Sequence, residues 1–246
     1  MGEDGSWNEP GDDARFEALA LRAFAYQYAH CAPYRRLCDA RGATPADVAR
    51  WQDVPAVPTG AVQELRVACV DAGDDVKVFR TSGTSSERRG ALHLDTLALY
   101  EASLLPTLRH LLFPDVARGE RIRMRVLAPS PDEAPDSSLS HMFGVLRAAL
   151  GDEASGYDVT DGRLDIDGLL ATIDPSAGGP PVALLGTAFA FVHLLDALEE
   201  RGVALTLPPG SRAMETGGFK GRSREVPRDV LHAMIERRLG IPRTRI

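Results

Sequence analysis

A chain of 246 residues, 44% hydrophobic and 26% charged, has the makeup of an ordinary globular protein and can bury a sizeable core. Its net charge of −7 at pH 7 argues against a nucleic-acid partner, because binding a polyanion takes a clustered basic surface. Cys31, Cys38 and Cys69 lack the spacing of a disulfide framework or a zinc site and suit a reducing cytoplasm, and no run approaches the ~20 apolar residues of a transmembrane segment.

The opening MGEDGSWNEPGDD is acidic where a signal peptide would be basic, so residues 1–13 read as a disordered leader ahead of one domain over 14–246. From Ala14 to about Cys31, Phe16, Leu19, Ala20, Phe24 and Tyr28 recur at helical spacing and predict an amphipathic helix with that stripe in the core. A second helix is expected over Tyr34–Ala40. Thr44, Pro45 and Asp47 read as the N-cap, first-turn proline and early acid of a third, closed by Trp51. Pro55 and Pro58 make residues 51–65 an extended connector.

Residues 79–90 read FRTSGTSSERRG between two apolar-alternating runs, Val76–Phe79 and Ala91–Leu94. Thr81, Ser82, Gly83, Thr84 and Ser85 are too small and polar to form a core and must be a loop. Gly83 lets successive backbone N–H groups converge, the hydroxyls add neutral donors, and Arg88 and Arg89 supply charge, a combination suited to a phosphate. A polar hairpin turn is the competing reading. No GxxxxGK[ST] occurs and no GxGxxG follows a strand.

Asp95 can cap a long helix to Leu112, with Leu97, Leu99, Leu104, Leu105, Leu108 and Leu111 on its apolar side. Arg121–Ala128 alternates like a half-buried strand, and PSPDEAPDSS is a loop. Ser138 or Ser140 then opens a helix to Leu150 that carries His141 and Gly144 as an HxxG pair. Further elements are a short helix over Leu164–Ile173, a strand over Val182–Leu185 and a helix over Phe189–Glu200. Short strands over Val203–Leu207 and Arg212–Glu215 follow, and a final helix runs from Pro227 to Leu239. Strands alternating with helices imply an α/β domain with a layered, largely parallel sheet flanked by helices. The late arginines, from Arg222 to Arg245, read as a solvated helix face. In METGGFKG, Gly217 and Gly218 permit close backbone approach to a ligand and Lys220 could meet a carboxylate or phosphate; a tight turn is the plain alternative.

TSGTSSERRG resembles the phosphate-binding signature of the adenylate-forming enzymes. Thr81–Ser85 match it in order, Arg89 falls at the family's lysine and Gly90 at its closing glycine, while Ser86 replaces a glycine and Arg88 a proline. That family also has an HxxG segment after the loop. Together with ETGGFKG, the chain from about Phe16 onward is similar to the LuxE-type acyl-protein synthetases of the same superfamily.

The resemblance implies the large N-terminal domain of an adenylate-forming enzyme, incomplete here. It implies a ligase that uses ATP and Mg²⁺ to turn a fatty or other carboxylic acid into an acyl-adenylate, then passes the acyl group to a thiol acceptor, which could be a partner protein. The loop residues Thr81–Ser85 and Arg89 would hold the departing pyrophosphate. His141, Gly144, Gly217, Gly218 and Lys220 would place the acid, with His141 and Arg89 as the catalytic pair, and the apolar face of the Phe189 helix could wall an acyl channel. A YGxTE-like segment, a mobile C-terminal lobe and the acyl-accepting cysteine are expected beyond GIPRTRI, so none of the three cysteines takes that role. The competing hypothesis is a noncatalytic or partner-dependent nucleotide- or acyl-binding fragment of a split enzyme. A hydrolase ranks third, since no GxSxG elbow is present.

Overall fold

The computed structural model describes residues 12–81, 89–173, 179–219 and 223–246. The chain divides into two compact units, Met1–Tyr100 and Glu101–Ile246.

In the first unit, α1 (Asp12–His30) and α2 (Ala32–Ala40) pack through Phe24, Cys31, Tyr34 and Cys38, all buried. Pro33 sits in the first turn of α2, where its missing N–H costs nothing. The Tyr34 hydroxyl donates to the Pro55 carbonyl at 2.9 Å and so ties the proline-rich connector to the helices. A four-residue helix, α3 (Ala61–Glu64), interrupts that connector. Strands β1 (Lys77–Arg80) and β2 (Ala91–Leu94) then form an antiparallel hairpin in which Lys77 faces Leu94 and Arg80 faces Ala91. Asp75 joins connector to hairpin: it accepts two bonds of 2.7 Å from the Arg66 guanidinium and lies 2.8 Å from His93 Nδ1.

The second unit takes in α4 (Ala98–Leu112) from Glu101 onward and is built on β3 (Arg123–Leu127), β4 (Gly156–Tyr157), β7 (Val182–Gly186) and β8 (Arg212–Glu215). These form one sheet in the order β4-β3-β7-β8, with every pairing parallel. Strand β7 is buried along its whole length, as the unbroken apolar run VALLG requires of a strand covered on both faces. Its side chains alternate between two cores. Ala183 and Leu185 meet Phe143 and Leu146 of α5 (Ser138–Leu150) on one face. Val182 and Leu184 meet α6 (Ile166–Ile173), α7 (Ala188–Glu200) and α8 (Arg228–Leu239) on the other. A small antiparallel hairpin of β5 (Val159–Thr160) and β6 (Arg163–Leu164) turns at Asp161 and Gly162, both with positive φ.

The α/β reading, with its parallel sheet flanked by helices, is what the structure shows. Several local expectations differ. Thr44 and Asp47 do bond to each other, but they close a single turn and no α-helix follows; a three-residue 3-10 helix comes only at Trp51–Asp53. Residues 203–207 are not a strand, because the Leu205 and Leu207 amides donate to the last carbonyls of α8, at Arg238 and Leu239. Phe16 and Leu19 are about half exposed, leaving Phe24 as the buried residue of the α1 stripe. On α4, Leu105, Leu108 and Leu112 pack on the core while Leu99 and Leu111 stand out in solvent. The leader call on residues 1–13 lies outside the described residues up to Gly11, and α1 begins at Asp12. No helix among the described residues is long and apolar enough to cross a membrane.

Candidate functional site

In the first unit, the structure describes the two ends of the phosphate-loop motif. Ser82, Gly83, Thr84 and Ser85 lie outside the described residues, as do Ser86, Glu87 and Arg88. Thr81 and Gly90 extend the β1–β2 ladder by one pair. The Thr81 amide donates to the Gly90 carbonyl at 2.8 Å, and the Gly90 amide donates to Thr81 Oγ1 at 2.8 Å. Arg89 folds back over this pair, its Nε donating to the Thr81 carbonyl at 2.8 Å. The hairpin therefore holds the loop's two ends together, with a guanidinium at the mouth. Gly90 is required by its neighbours. A Cβ there would come within 2.9 Å of the Val62 methyl and 3.2 Å of the Thr81 side chain.

In the second unit, topology picks out one edge. From β3 the chain passes through α5 to β4 on one side; from β7 it passes through α7 to β8 on the other, and α5 and α7 cover opposite faces. Strand order thus reverses between β3 and β7. In open α/β sheets, ligands bind in the crevice beyond the carboxyl ends of the strands at such a switch point. The ends approach closely here: a Cβ on Gly186 would lie 2.8 Å from Leu127 Cβ.

The sequence-predicted residues of this unit that the structure describes lie in α5, which follows β3, and in the turn that follows β8. His141 stands near the start of α5, after the loop from β3. Ser137 caps that helix by accepting from the Ser140 amide at 3.1 Å. His141 Nε2 lies 3.0 Å from Glu101 Oε1, a pairing that the sequence does not signal. Gly144, one turn further, has a packing duty: a Cβ would meet Pro131 Cγ at 2.7 Å and the Tyr157 hydroxyl at 3.6 Å. Tyr157 ends β4, and burial pushes its phenol pKa up. Gly217 and Gly218 follow β8 with φ of 68° and 76°, consecutive left-handed residues that only glycine adopts without strain. Glu215, with a side chain only 5% exposed, accepts from the Gly217 amide at 2.7 Å and sits 3.3 Å from His232 Nε2. It pins the turn. Lys220 lies outside the described residues.

Thr187, at the carboxyl end of β7, was not singled out by sequence. It is the N-cap of α7 but makes no capping bond, and its buried Oγ1 has no hydrogen-bond partner among the described residues. The expected acyl channel along α7 is not open: Phe191, Leu194, Leu195 and Leu198 are each 0% exposed and fill the core. Several of the described late arginines are matched by carboxylates, as in Arg224 with Asp196 and Arg238 with Glu199. Among the described residues no group of three His, Cys, Asp or Glu side chains is placed to hold a metal ion.

No family model matches the chain, and no curated protein does. Among solved structures it is similar to 2-hydroxyisobutyryl-CoA ligase in the postadenylation state in complex with 2-HIB-AMP. The TM-score is 0.55 at 18% identity, over 82% of this chain and 45% of that one. The same ligase with 2-HIB-AMP and CoA in the thioesterification state is matched at TM-score 0.52 and 18% identity, over 82% and 46%. The chain spans less than half the length of these structures, and what it shares with them is fold: an α/β architecture that is one part of a CoA ligase.

Proposed function

We propose that this chain is the acid- and nucleotide-binding part of an acyl-adenylating ligase. The observation that carries the reading is the convergence of three elements on one switch-point edge. His141 at the start of α5, the end of β7 and the Gly217–Gly218 turn after β8 all lie there, in a sheet whose fold is that of a ligase crystallised with an acyl-AMP. The TSGTS motif, tied at its base by Thr81, Arg89 and Gly90, supports nucleotide use.

In this reading a carboxylate oxygen of a fatty or other carboxylic acid bonds to the α-phosphorus of ATP, and the bond from that phosphorus to pyrophosphate breaks. Loop N–H groups and Arg89 take up the charge on the leaving group, while His141, held by Glu101, orients the acid. Mg²⁺ enters with ATP and neutralises phosphate charge. Transfer to a thiol, in the manner of the LuxE-type acyl-protein synthetases, completes the reaction.

The test is to incubate the chain with MgATP, a panel of acids and hydroxylamine. Acid-dependent pyrophosphate and acyl-hydroxamate are expected, with His141→Ala lowering the yield about 100-fold at unchanged fold. The second reading is a binding fragment that needs a partner for turnover. ATP binding without hydroxamate from any acid would select it.

A further inference from the structure

Side-chain packing does not lock the Gly217–Gly218 turn. Both glycines are exposed, with φ of 68° and 76°, and a Cβ built on Gly217 would meet nothing within 4 Å. The ladder with β7 stops just before the turn, where the Thr216 amide donates to the Gly186 carbonyl at 3.2 Å. Two exposed glycines in sequence have more backbone freedom than any other pair of residues. Among the described residues, what opposes that freedom is the bond from the Gly217 amide to Glu215 Oε2, at 2.7 Å.

The acceptor is itself held. The Glu215 side chain is 5% exposed, and its other oxygen, Oε1, lies 3.3 Å from Arg228 Nε and 3.3 Å from His232 Nε2. Arg228 and His232 stand one turn apart on α8, so a single helix face sets the carboxylate. A carboxylate taken out of water costs free energy unless both oxygens are bonded, and one beneath an exposed turn adds nothing to the apolar core. With the Gly217 amide taken up by Glu215, the exposed Gly218 amide makes no hydrogen bond among the described residues and is left as a donor for a ligand. We infer that Glu215 is a positioning residue for the acyl-adenylate. Through Gly217 it fixes the turn that presents the Gly218 amide, and Arg228 and His232 fix Glu215. The inference rests on the adenylation reading and adds to it a residue that touches no substrate.

The probe is a set of acylsulfamoyl adenosines, stable acyl-adenylate analogues, carrying acetyl, benzoyl or palmitoyl groups and titrated by calorimetry. The native chain should bind at least one of them. Glu215→Ala should weaken that binding about tenfold or more, while circular dichroism and amide exchange in β3 and β7 stay native. Glu215→Gln keeps an oxygen for the Gly217 amide and should recover most of the loss. Amide exchange over residues 214–219 should rise about tenfold in Glu215→Ala and stay near native in Glu215→Gln. In the hydroxamate assay, KM for the acid should follow the same order. Arg228→Ala, at a side chain 78% exposed, should weaken binding about threefold and keeps the inference testable if Glu215→Ala does not fold. Native-strength binding by Glu215→Ala, or by Arg228→Ala where the former fails to fold, overturns the inference and leaves the adenylation reading standing. So does a Glu215→Gln as weak as Glu215→Ala, since the charge and not the hold on Gly217 would then be the cause. A native chain that binds none of the analogues and makes no acyl-hydroxamate overturns the adenylation reading, and the inference with it.

Discussion

Gly90 and Gly144 are glycines because of atoms brought in from elsewhere in the chain, the Val62 methyl in one case and Pro131 in the other. The motif made Gly90 legible as the closing residue of a loop, but the reason is steric and depends on a connector residue far upstream. Gly90→Ala should destabilise the chain by about 1–3 kcal/mol through overpacking, read as a lower urea midpoint with unchanged slope. Thr187 presents the opposite case. Its buried hydroxyl lacks a partner while its extended φ/ψ suits a β-branched apolar residue. Thr187→Val should therefore leave stability unchanged or raise it by about 1 kcal/mol in the same titration. No sequence pattern marks an orphan hydroxyl, because its want of a partner is a property of the packed structure.

Among the elements, hydrophobic period found the long helices and the buried strands and missed those defined by other bonds. Residues 203–207 alternate like a strand, yet their amides are spent on capping α8. The β5–β6 hairpin is too short for a period, though Asp-Gly at its turn is the residue pair that a two-residue loop with two positive φ values selects. Gly162→Val should cost about 1–2 kcal/mol, since a β-branched residue is strained at φ 73°. The β1–β2 hairpin carries a pH dependence of its own. Arg66 chiefly, with His93, holds the Asp75 carboxyl down at about 2. An unfolded aspartate titrates near ~3.9, so the stabilisation is complete above that value and is lost as pH falls through 2. Urea midpoints measured from pH 5 to pH 2 should fall for the native chain and fall less steeply for Asp75→Asn, in which Asp115, held down by Arg212 and Arg245, still contributes.

For the molecule as a whole, strands alternating with helices sufficed to predict a parallel sheet, because a parallel connection needs a crossover and the sequence supplies helices of the right length. Strand order was not legible. It depends on which face each crossover covers, and the reversal between β3 and β7 shows only in the strand pairings and in the two cores on either side of β7. Amide hydrogen exchange should be slowest at β7 and β3, whose side chains fill both cores, and markedly faster in the β5–β6 hairpin.

Trp51 packs edge-on against Phe16 of α1, with ring centroids 5.3 Å apart, and is 43% exposed. The chain has 2 tryptophans, Trp7 and Trp51, of which the structure describes Trp51 in the unit Met1–Tyr100, and residues 101–246 hold neither. Intrinsic tryptophan emission is therefore a private reporter of that unit. The sheet, His141 and the Gly217–Gly218 turn have no indole of their own, so an unfolding curve followed by emission alone would leave them dark, and a tryptophan introduced into residues 101–246 would be needed to watch both units by light.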